Sequence, residues 1–468
     1  MDLKNLKSNL VAVLGYGQEG KAVTKYLMKH GVTPVLFDQR PWENWDKIEK
    51  LEVEKLGAHF IFGPDVFKEL RGFDVAFRSP GIKIADLAEV LGSYDPKTDS
   101  LNYGGQKSIL LTSQTKWFIE HCPAKIVGVT GTKGKGTTSA LTYEMLKADR
   151  KNVYLTGNIG KTQPMEILDD LKANDWIVYE LSSFQLQDLN QSPHIGVVLM
   201  VTSEHLDYHK SQNEYLEAKS AIAKFQTADD VAIINAGFEN SIKIGEQGRG
   251  QRRYFSTQRT ADCYVENDLI YLSGEPFIRT DELLLKGKHN WQNVCAAILA
   301  SDAAGCDHQT IKKVAVEFKG LEHRLEFVAE KGGVKFYNDS FSTTPETAIA
   351  AINSFHEPLI VILGGPSKNS DFDGLGKIIS GKKNIKDIIL IGQEADRIKS
   401  TLDIDPRMII EGAQNMQEIF TQISSVARKG DVVLLSSACA SFDMFKNYSD
   451  RGQKFKEQVN LYADKNFS

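Results

Sequence analysis

The sequence lacks any apolar run approaching the roughly 20 residues that cross a bilayer, so no membrane-spanning helix is expected. Its opening, MDLKNLKSNLVAVLG, passes from a polar start straight into a strand-like segment, without the apolar stretch and small-residue cleavage site of a secretory signal. Cysteine is sparse. The five present, Cys122, Cys263, Cys295, Cys306 and Cys439, are odd in number and form no CxxC pair, which argues against a disulfide frame or a zinc site. Basic charge is not in excess: 56 Lys and Arg against 61 Asp and Glu leave a net charge of -5, without the electrostatic footprint of a nucleic-acid binder. No internal repeat or low-complexity tract is visible. These absences leave a cytoplasmic protein, expected to be monomeric, that acts on small molecules and neither binds nucleic acid nor spans a membrane.

What is present is length and an α/β rhythm. A chain of 468 residues exceeds what one hydrophobic core usually supports, so about three domains are expected. Leu10 to Leu14 reads as a buried strand, Glu19 to His30 as a helix closed by Gly31, and Pro34 to Phe37 as the next strand. A second unit opens near residue 114, with strands at Ile126 to Val129, Trp176 to Tyr179, Gly196 to Met200 and Val231 to Ile234. Runs of this kind suit a parallel sheet covered by helices. Gln251 to Thr280 differs: its short alternating pieces, Cys263 to Glu266 and Leu269 to Leu272, suggest antiparallel strands. A third rhythm begins near Leu321, with strands at Val334 to Tyr337, Leu359 to Leu363, Asp387 to Ile391 and Val432 to Ser436.

Two glycine-rich turns stand between a strand and a helix. In Gly131-Thr132-Lys133-Gly134-Lys135-Gly136-Thr137-Thr138 the glycines let backbone N–H groups turn toward phosphate oxygens, and the helix that follows adds its positive dipole end. Lys135 supplies a cation for the outer phosphates. Compared with the strict P-loop pattern the leading glycine is displaced, and Gly136 stands where a metal-binding hydroxyl follows the lysine, which moves that role to Thr137. The other turn, Gly15-Tyr16-Gly17-Gln18-Glu19-Gly20, has the GxGxxG form of dinucleotide sites, with Asp38 after the second strand where a ribose-binding acid would stand. The same pocket also suits a uridine diphosphate group.

The order of Gly131-Thr-Lys-Gly-Lys, Asn158-Ile-Gly, Glu180-Leu-Ser-Ser-Phe-Gln, Thr202-Ser-Glu-His-Leu-Asp207, Lys219, Gly287-Lys-His-Asn290, His323-Arg324, Asn338-Asp-Ser340 and Leu363-Gly-Gly365 resembles the Mur ligases of peptidoglycan synthesis over nearly the whole chain. Glu180-Leu-Ser-Ser-Phe-Gln-Leu and the segment Leu435 to Tyr448 are similar to the branch that joins D-glutamate to UDP-N-acetylmuramoyl-L-alanine. The resemblance implies a three-domain α/β protein: a Rossmann-like UDP-sugar domain over 1–114, a central P-loop-type ATPase domain with a parallel sheet over 115–320, and a Rossmann-like amino-acid domain over 321–468. It further implies an ATP- and Mg²⁺-dependent ligase that phosphorylates a carboxylate and lets an amine displace the phosphate, with the domains closing on the substrates.

By the same resemblance, Lys135, Glu180, His205 and Lys219 are the catalytic candidates. Thr137, Glu180, His205 and a carbamylated Lys219 would hold metal, since hard cations prefer oxygen donors. On its own pattern Lys219 would be a solvated helix lysine. The resemblance assigns Asn290, Asn293, Arg324 and Asp339 to ATP beside the Gly131 to Thr138 loop. It gives Gly17, Gln18, Glu19, Asp38, Arg40, Ser79, Pro80, Gly81 and Asn158 to the UDP-sugar, and Thr343, Lys368, Ser441 and Tyr448 to glutamate. One departure stands out: many sequences of this branch carry a lysine after Asn-Asp-Ser, whereas this chain has Phe341. That leaves open an L-glutamate-adding ligase or a changed contact to the acceptor, and the Lys135-Gly-Thr137 of the loop is also similar to folylpolyglutamate synthases. An NAD(P)-dependent oxidoreductase built on Gly15 to Gly20 leaves the second glycine loop unexplained, and a non-catalytic nucleotide-binding module would not need Glu180, His205 and Lys219 together.

Overall fold

The computed structural model describes residues 2–45, 47–105, 107–159, 162–202, 211–367 and 370–462. Within them the chain forms three sheets, each dominated by parallel pairings. The first contains β1 (Val11–Leu14), β2 (Val35–Asp38), β3 (His59–Phe62), β4 (Val75–Arg78), β5 (Ser93–Asp95), β6 (Ser100–Tyr103) and β7 (Lys107–Ser113), in the order β3-β2-β1-β4-β7-β6-β5. Its central strands Val-Ala-Val-Leu and Val-Ala-Phe-Arg are buried at every position, as parallel strands with both faces covered must be. The helix Gln18–Lys29 returns the chain from β1 to β2 as a βαβ crossover. β5, β6 and β7 form an antiparallel ribbon that the sequence pattern does not announce, because its outer strands are short and polar.

The central sheet holds β8 (Lys125–Thr130), β9 (Val153–Gly157), β10 (Trp176–Glu180), β11 (Ile195–Val198), β12 (Val231–Asn235), β13 (Gln251–Ser256), β14 (Cys263–Glu266), β15 (Leu269–Leu272) and β16 (Glu275–Arg279), ordered β16-β15-β14-β13-β12-β11-β8-β10-β9. The expectation of antiparallel strands throughout Gln251 to Thr280 is corrected in part. β13 pairs parallel with β12 after the helix Glu239–Gly245, and β14 is parallel to β13; the antiparallel run begins only at β14 and β15. There Asn267 and Asp268 both take positive φ, 48° and 58°, as a two-residue hairpin turn requires, whereas β12 reaches β13 through a helix and stays parallel. The helix that carries Lys219 runs Gln212–Ser220, started by the Ser211 hydroxyl accepting the Glu214 N–H.

The third sheet, β17 (Glu326–Lys331), β18 (Val334–Asn338), β19 (Leu359–Gly364), β20 (Ile385–Ile391), β21 (Ile409–Ile410) and β22 (Val432–Leu435), is ordered β17-β18-β22-β19-β20-β21. Only β17 runs antiparallel to its neighbour, at the sheet edge. Contacts group the chain into two compact units, residues 1–277 with 292–311, and 278–291 with 312–468. The first unit contains the Gly15 and Gly131 turns, and the second contains the third sheet. All five cysteines are free thiols; Cys122 is half-buried and the other four are buried. Among the described residues no helix is long and apolar enough to cross a membrane.

Candidate functional site

At the end of β1 the chain turns through Gly15, whose N–H donates to the Phe37 carbonyl at 2.7 Å and whose φ is +85°. Gly20 packs so closely on this turn that a Cβ there would lie 1.9 Å from the Gly15 carbonyl oxygen. The first and last glycines thus bring the helix Gln18–Lys29 down onto the strand end. A cleft of about 370 Å³ opens above it, lined by Gly17, Gln18, Asp38, Arg40 and Ser79 together with Lys21 and Glu49.

Asp38 closes β2 and is buried. Its carboxylate accepts the Tyr16 N–H at 2.9 Å, the Arg40 N–H at 2.9 Å and the Arg40 Nε–H at 3.1 Å. Arg40 in turn lies 4.4 Å over the Trp45 ring and reaches Glu49. The acid and the guanidinium expected at a nucleotide are therefore a mutually oriented pair at the cleft wall. Glu19 sits in the first turn of the helix. One of its oxygens accepts from Gln185 Nε2 at 2.7 Å, while Oε2 is shielded from water without a partner. Burial, the largest influence, pushes its carboxyl up to about 7. Ser79, Pro80 and Gly81 follow β4, where Arg78 donates to the Pro80 carbonyl at 3.3 Å and pairs with Asp188 at 3.1 Å, both side chains fully buried. Asn158 is exposed just after β9.

The second turn leaves β8 at Thr130. Gly134, at φ +91°, is the N-cap of the helix Lys135–Ala148. A Cβ on Gly134 would fall 2.2 Å from Asn293 Oδ1, so glycine lets the buried Asn293 amide rest against the loop. The Thr138 N–H donates to Gly134 at 3.0 Å, and the amides preceding it lie outside the helical ladder, the arrangement that favours an anion. Lys133 is exposed, Thr137 half-buried, and Gly131, Thr132, Gly136 and Thr138 buried, with Thr138 Oγ1 lacking a partner.

Two ammonium groups converge beneath this loop. Lys135 Nζ donates to the carbonyls of Gly131 at 3.1 Å and Thr132 at 3.2 Å. Lys219 Nζ donates to the same Gly131 carbonyl at 3.1 Å and to Thr130 Oγ1 at 3.2 Å, with the Tyr215 ring 4.8 Å away. Lys219 is only 2% exposed, so the solvated-lysine reading of its helix does not hold. Glu180 is buried at the end of β10, in register with Val129 of β8, which places the residue beside the strand end that launches the loop. His205 lies outside the described residues, and among those described no group of three or more His, Cys, Asp or Glu is placed to hold a metal ion.

The second unit gathers a different set. Arg324 is flanked by His323 and Leu325 at φ 65° and 45°, strained conformations for side-chain-bearing residues. Its guanidinium lies 3.9 Å over the Phe341 ring, which meets Tyr448 edge-on at 5.1 Å. Phe341, at the position where a lysine is common, is thus an aromatic seat for a cation. Asp339 is buried; it accepts the Leu325 N–H at 3.0 Å and the Ser436 hydroxyl at 2.8 Å, and burial pushes it up to about 6. Asn290 donates its side-chain amide to the Lys286 carbonyl at 2.8 Å. Thr343 is half-buried, Ser441 buried and Tyr448 partly exposed at the start of the helix Tyr448–Leu461. Lys368 lies outside the described residues. Lys21, Gln185, the Arg78 to Asp188 pair and Arg451 have no role assigned from the sequence, although Gln185 ends the Glu180-Leu-Ser-Ser-Phe-Gln motif and Arg78 is a charge ending an apolar strand.

The Mur ligase middle-domain family matches residues 129–301, and the Mur ligase glutamate-ligase-domain family matches residues 323–439. The chain is 36% identical over 473 residues to the UDP-N-acetylmuramoylalanine–D-glutamate ligase of Acetivibrio thermocellus, covering 98% of this chain and 97% of that one. It is 33% identical over 463 residues to the ligase of the same name from Clostridium perfringens, covering 97% of each. Among solved structures, a MurF from Acinetobacter baumannii superposes with TM-score 0.61 at 16% identity, over 97% of this chain and 98% of that one. MurF from Thermotoga maritima, in complex with ADP, superposes with TM-score 0.54 at 18% identity, over 98% and 97%. Those two similarities speak for the fold. Carried by two domain matches and by near-full-length identity to D-glutamate ligases, the chain belongs to the Mur ligase family.

Proposed function

We propose that this protein joins D-glutamate to UDP-N-acetylmuramoyl-L-alanine at the expense of ATP, in the cytoplasmic synthesis of peptidoglycan precursors. A carboxylate oxygen of the UDP-sugar peptide attacks the γ-phosphorus and ADP leaves. The amine of glutamate then attacks the acyl phosphate, loses a proton, and inorganic phosphate departs as the amide forms. Both steps bring anions together, so the site must supply positive charge. The observation that carries this reading is the convergence of Lys135 and Lys219 on the Gly131 carbonyl.

The loop Gly131 to Thr138 would hold the ATP phosphates, with Lys135 answering the γ-phosphate. Repulsion between the two ammonium groups is relieved if Lys219 gives up its ammonium proton and the free amine takes up CO₂ with loss of a second proton, becoming a carbamate. Glu180, Thr137 and the Lys219 carbamate would hold Mg²⁺ through oxygen donors, which a hard cation prefers, with His205 as a further ligand. When bound it neutralises charge on the phosphates. Asn290, Asn293, Arg324 and Asp339 are proposed for the nucleotide. The cleft of Gly17, Gln18, Asp38, Arg40 and Ser79, with Glu19, Pro80, Gly81 and Asn158, is proposed for the UDP-sugar, and Thr343, Lys368, Ser441 and Tyr448 for glutamate. The three sheets would be the cores of domains 1–114, 115–320 and 321–468, in a monomer.

The test is phosphate release from purified protein with ATP, Mg²⁺, UDP-N-acetylmuramoyl-L-alanine and either glutamate enantiomer. Release that requires both the UDP-sugar and D-glutamate is expected. Equal release with L-glutamate overturns the stereochemical assignment, and silence with both overturns ligation.

A further inference from the structure

Arg451 lies in the helix Tyr448–Leu461 with 0% of its surface exposed. Its Nε–H donates to Ser340 Oγ at 2.9 Å, and its terminal nitrogens donate to the carbonyls of Ser340 at 2.8 Å, Ala440 at 2.8 Å and Cys439 at 3.3 Å. All five guanidinium N–H groups are used, and none meets a carboxylate. Burial lowers the group to about 10, which leaves it charged at neutral pH. Asp443 and Asp339 act on it only through space, their carboxylates being hydrogen-bonded elsewhere, Asp339 to Ser436 and Asp443 to the Gln393 N–H at 2.9 Å. A buried charge without a paired anion is costly, so a fold that keeps one has a reason to hold positive potential there.

The carbonyls that Arg451 holds belong to the two segments leading into the acceptor candidates. Ala440 precedes Ser441. Ser340 Oγ accepts from Arg451 and donates onward to the Tyr448 carbonyl at 2.7 Å, linking the guanidinium to the first residue of its own helix. We propose that Arg451 is a positioning residue for the acceptor amino acid: it sets Ser441 and Tyr448 through the carbonyls it clamps, and its unpaired charge favours a dicarboxylate over a monocarboxylate. This rests on the reading that the second unit takes glutamate.

The test uses the full-length enzyme and three variants, Arg451→Lys, Arg451→Met and Ser340→Ala, measuring KM for D-glutamate and for ATP, the D-glutamate to D-glutamine ratio of kcat/KM, and thermal melting. In Arg451→Lys, which keeps charge but loses two donors, KM for D-glutamate should rise about tenfold while KM for ATP stays within about twofold. Arg451→Met should also lower the glutamate to glutamine preference by about tenfold, a change that loosened packing alone would not produce. Should Arg451→Met fail to fold, Ser340→Ala still breaks the link to Tyr448 and should raise the glutamate KM severalfold. Unchanged glutamate KM in Arg451→Lys and Ser340→Ala, or equal rises for ATP and glutamate, overturns the proposal while wild-type activity stands. Wild-type silence with every amino acid overturns the ligase reading beneath it.

Discussion

Two turns of the first unit share one architecture, a parallel strand, a glycine-rich bend and a helix N-terminus, but they are furnished with opposite charge. Around Gly15 to Gly20 stand Asp38, Glu19 and Glu49, with Arg40 already paired to two of them. Around Gly131 to Thr137 stand Lys135 and the buried Lys219, both reaching the same carbonyl oxygen. Backbone geometry makes either turn an anion cradle; side-chain charge decides how much anion it accepts. On the proposed reading, the first would take a nucleoside diphosphate ester held largely by neutral contacts, and the second a triphosphate passing through a highly charged transition state.

The comparison breaks most visibly at the lysines. Lys135→Ala should lower kcat by about 10² to 10⁴-fold with an unchanged melting curve, because on the proposed reading its charge would act on the reacting phosphate and not on packing. Lys21→Ala, at the rim of the first cleft, should raise the UDP-sugar KM by no more than about tenfold and spare kcat. Steady-state kinetics of both variants check this; equal losses in kcat would erase the distinction between the two turns.

A smaller effect tests the glycines of the first turn. Gly20→Ala places a Cβ against the Gly15 carbonyl and should cost about 1–3 kcal/mol in urea unfolding. A Cβ at Gly17 meets nothing within 4 Å, so Gly17→Ala should stay within about 1 kcal/mol of wild type.

Smallest is the pH response of Glu19. Its carboxyl titrates near 7 in the fold against 4.5 when unperturbed, so the native state holds the proton more tightly across that window. Stability should therefore decline as pH rises from about 4.5 to 7, and Glu19→Gln should flatten that slope in thermal melts.

How far these two turns could be read without coordinates differs with the kind of feature. Both glycine loops and most parallel strands were legible to within a residue or two, and Leu269–Leu272 has the same bounds in sequence and structure, because apolar runs between turn residues report burial directly. The ribbon of Ser93–Asp95 and Ser100–Tyr103 was not, since two short polar strands leave no periodic trace. Lys219 illustrates the deeper limit. Its helix offers nothing to separate a solvated lysine from a buried one; only the approach of Thr130 and Gly131 from a distant strand makes the difference. Arg451 escaped notice for the same reason, its partners being carbonyls more than ten positions away in the chain.

The buried cysteines have a practical consequence. Burial raises the thiols of Cys122 to about 11 and of Cys306 and Cys439 to about 12, and holds that of Cys263 well above its ordinary value, so little nucleophilic thiolate exists at neutral pH. A single cysteine introduced on an exposed helix face of either unit would therefore be the dominant reactive thiol. A maleimide dye on each unit could then follow their relative motion during turnover without first stripping the native cysteines from the chain.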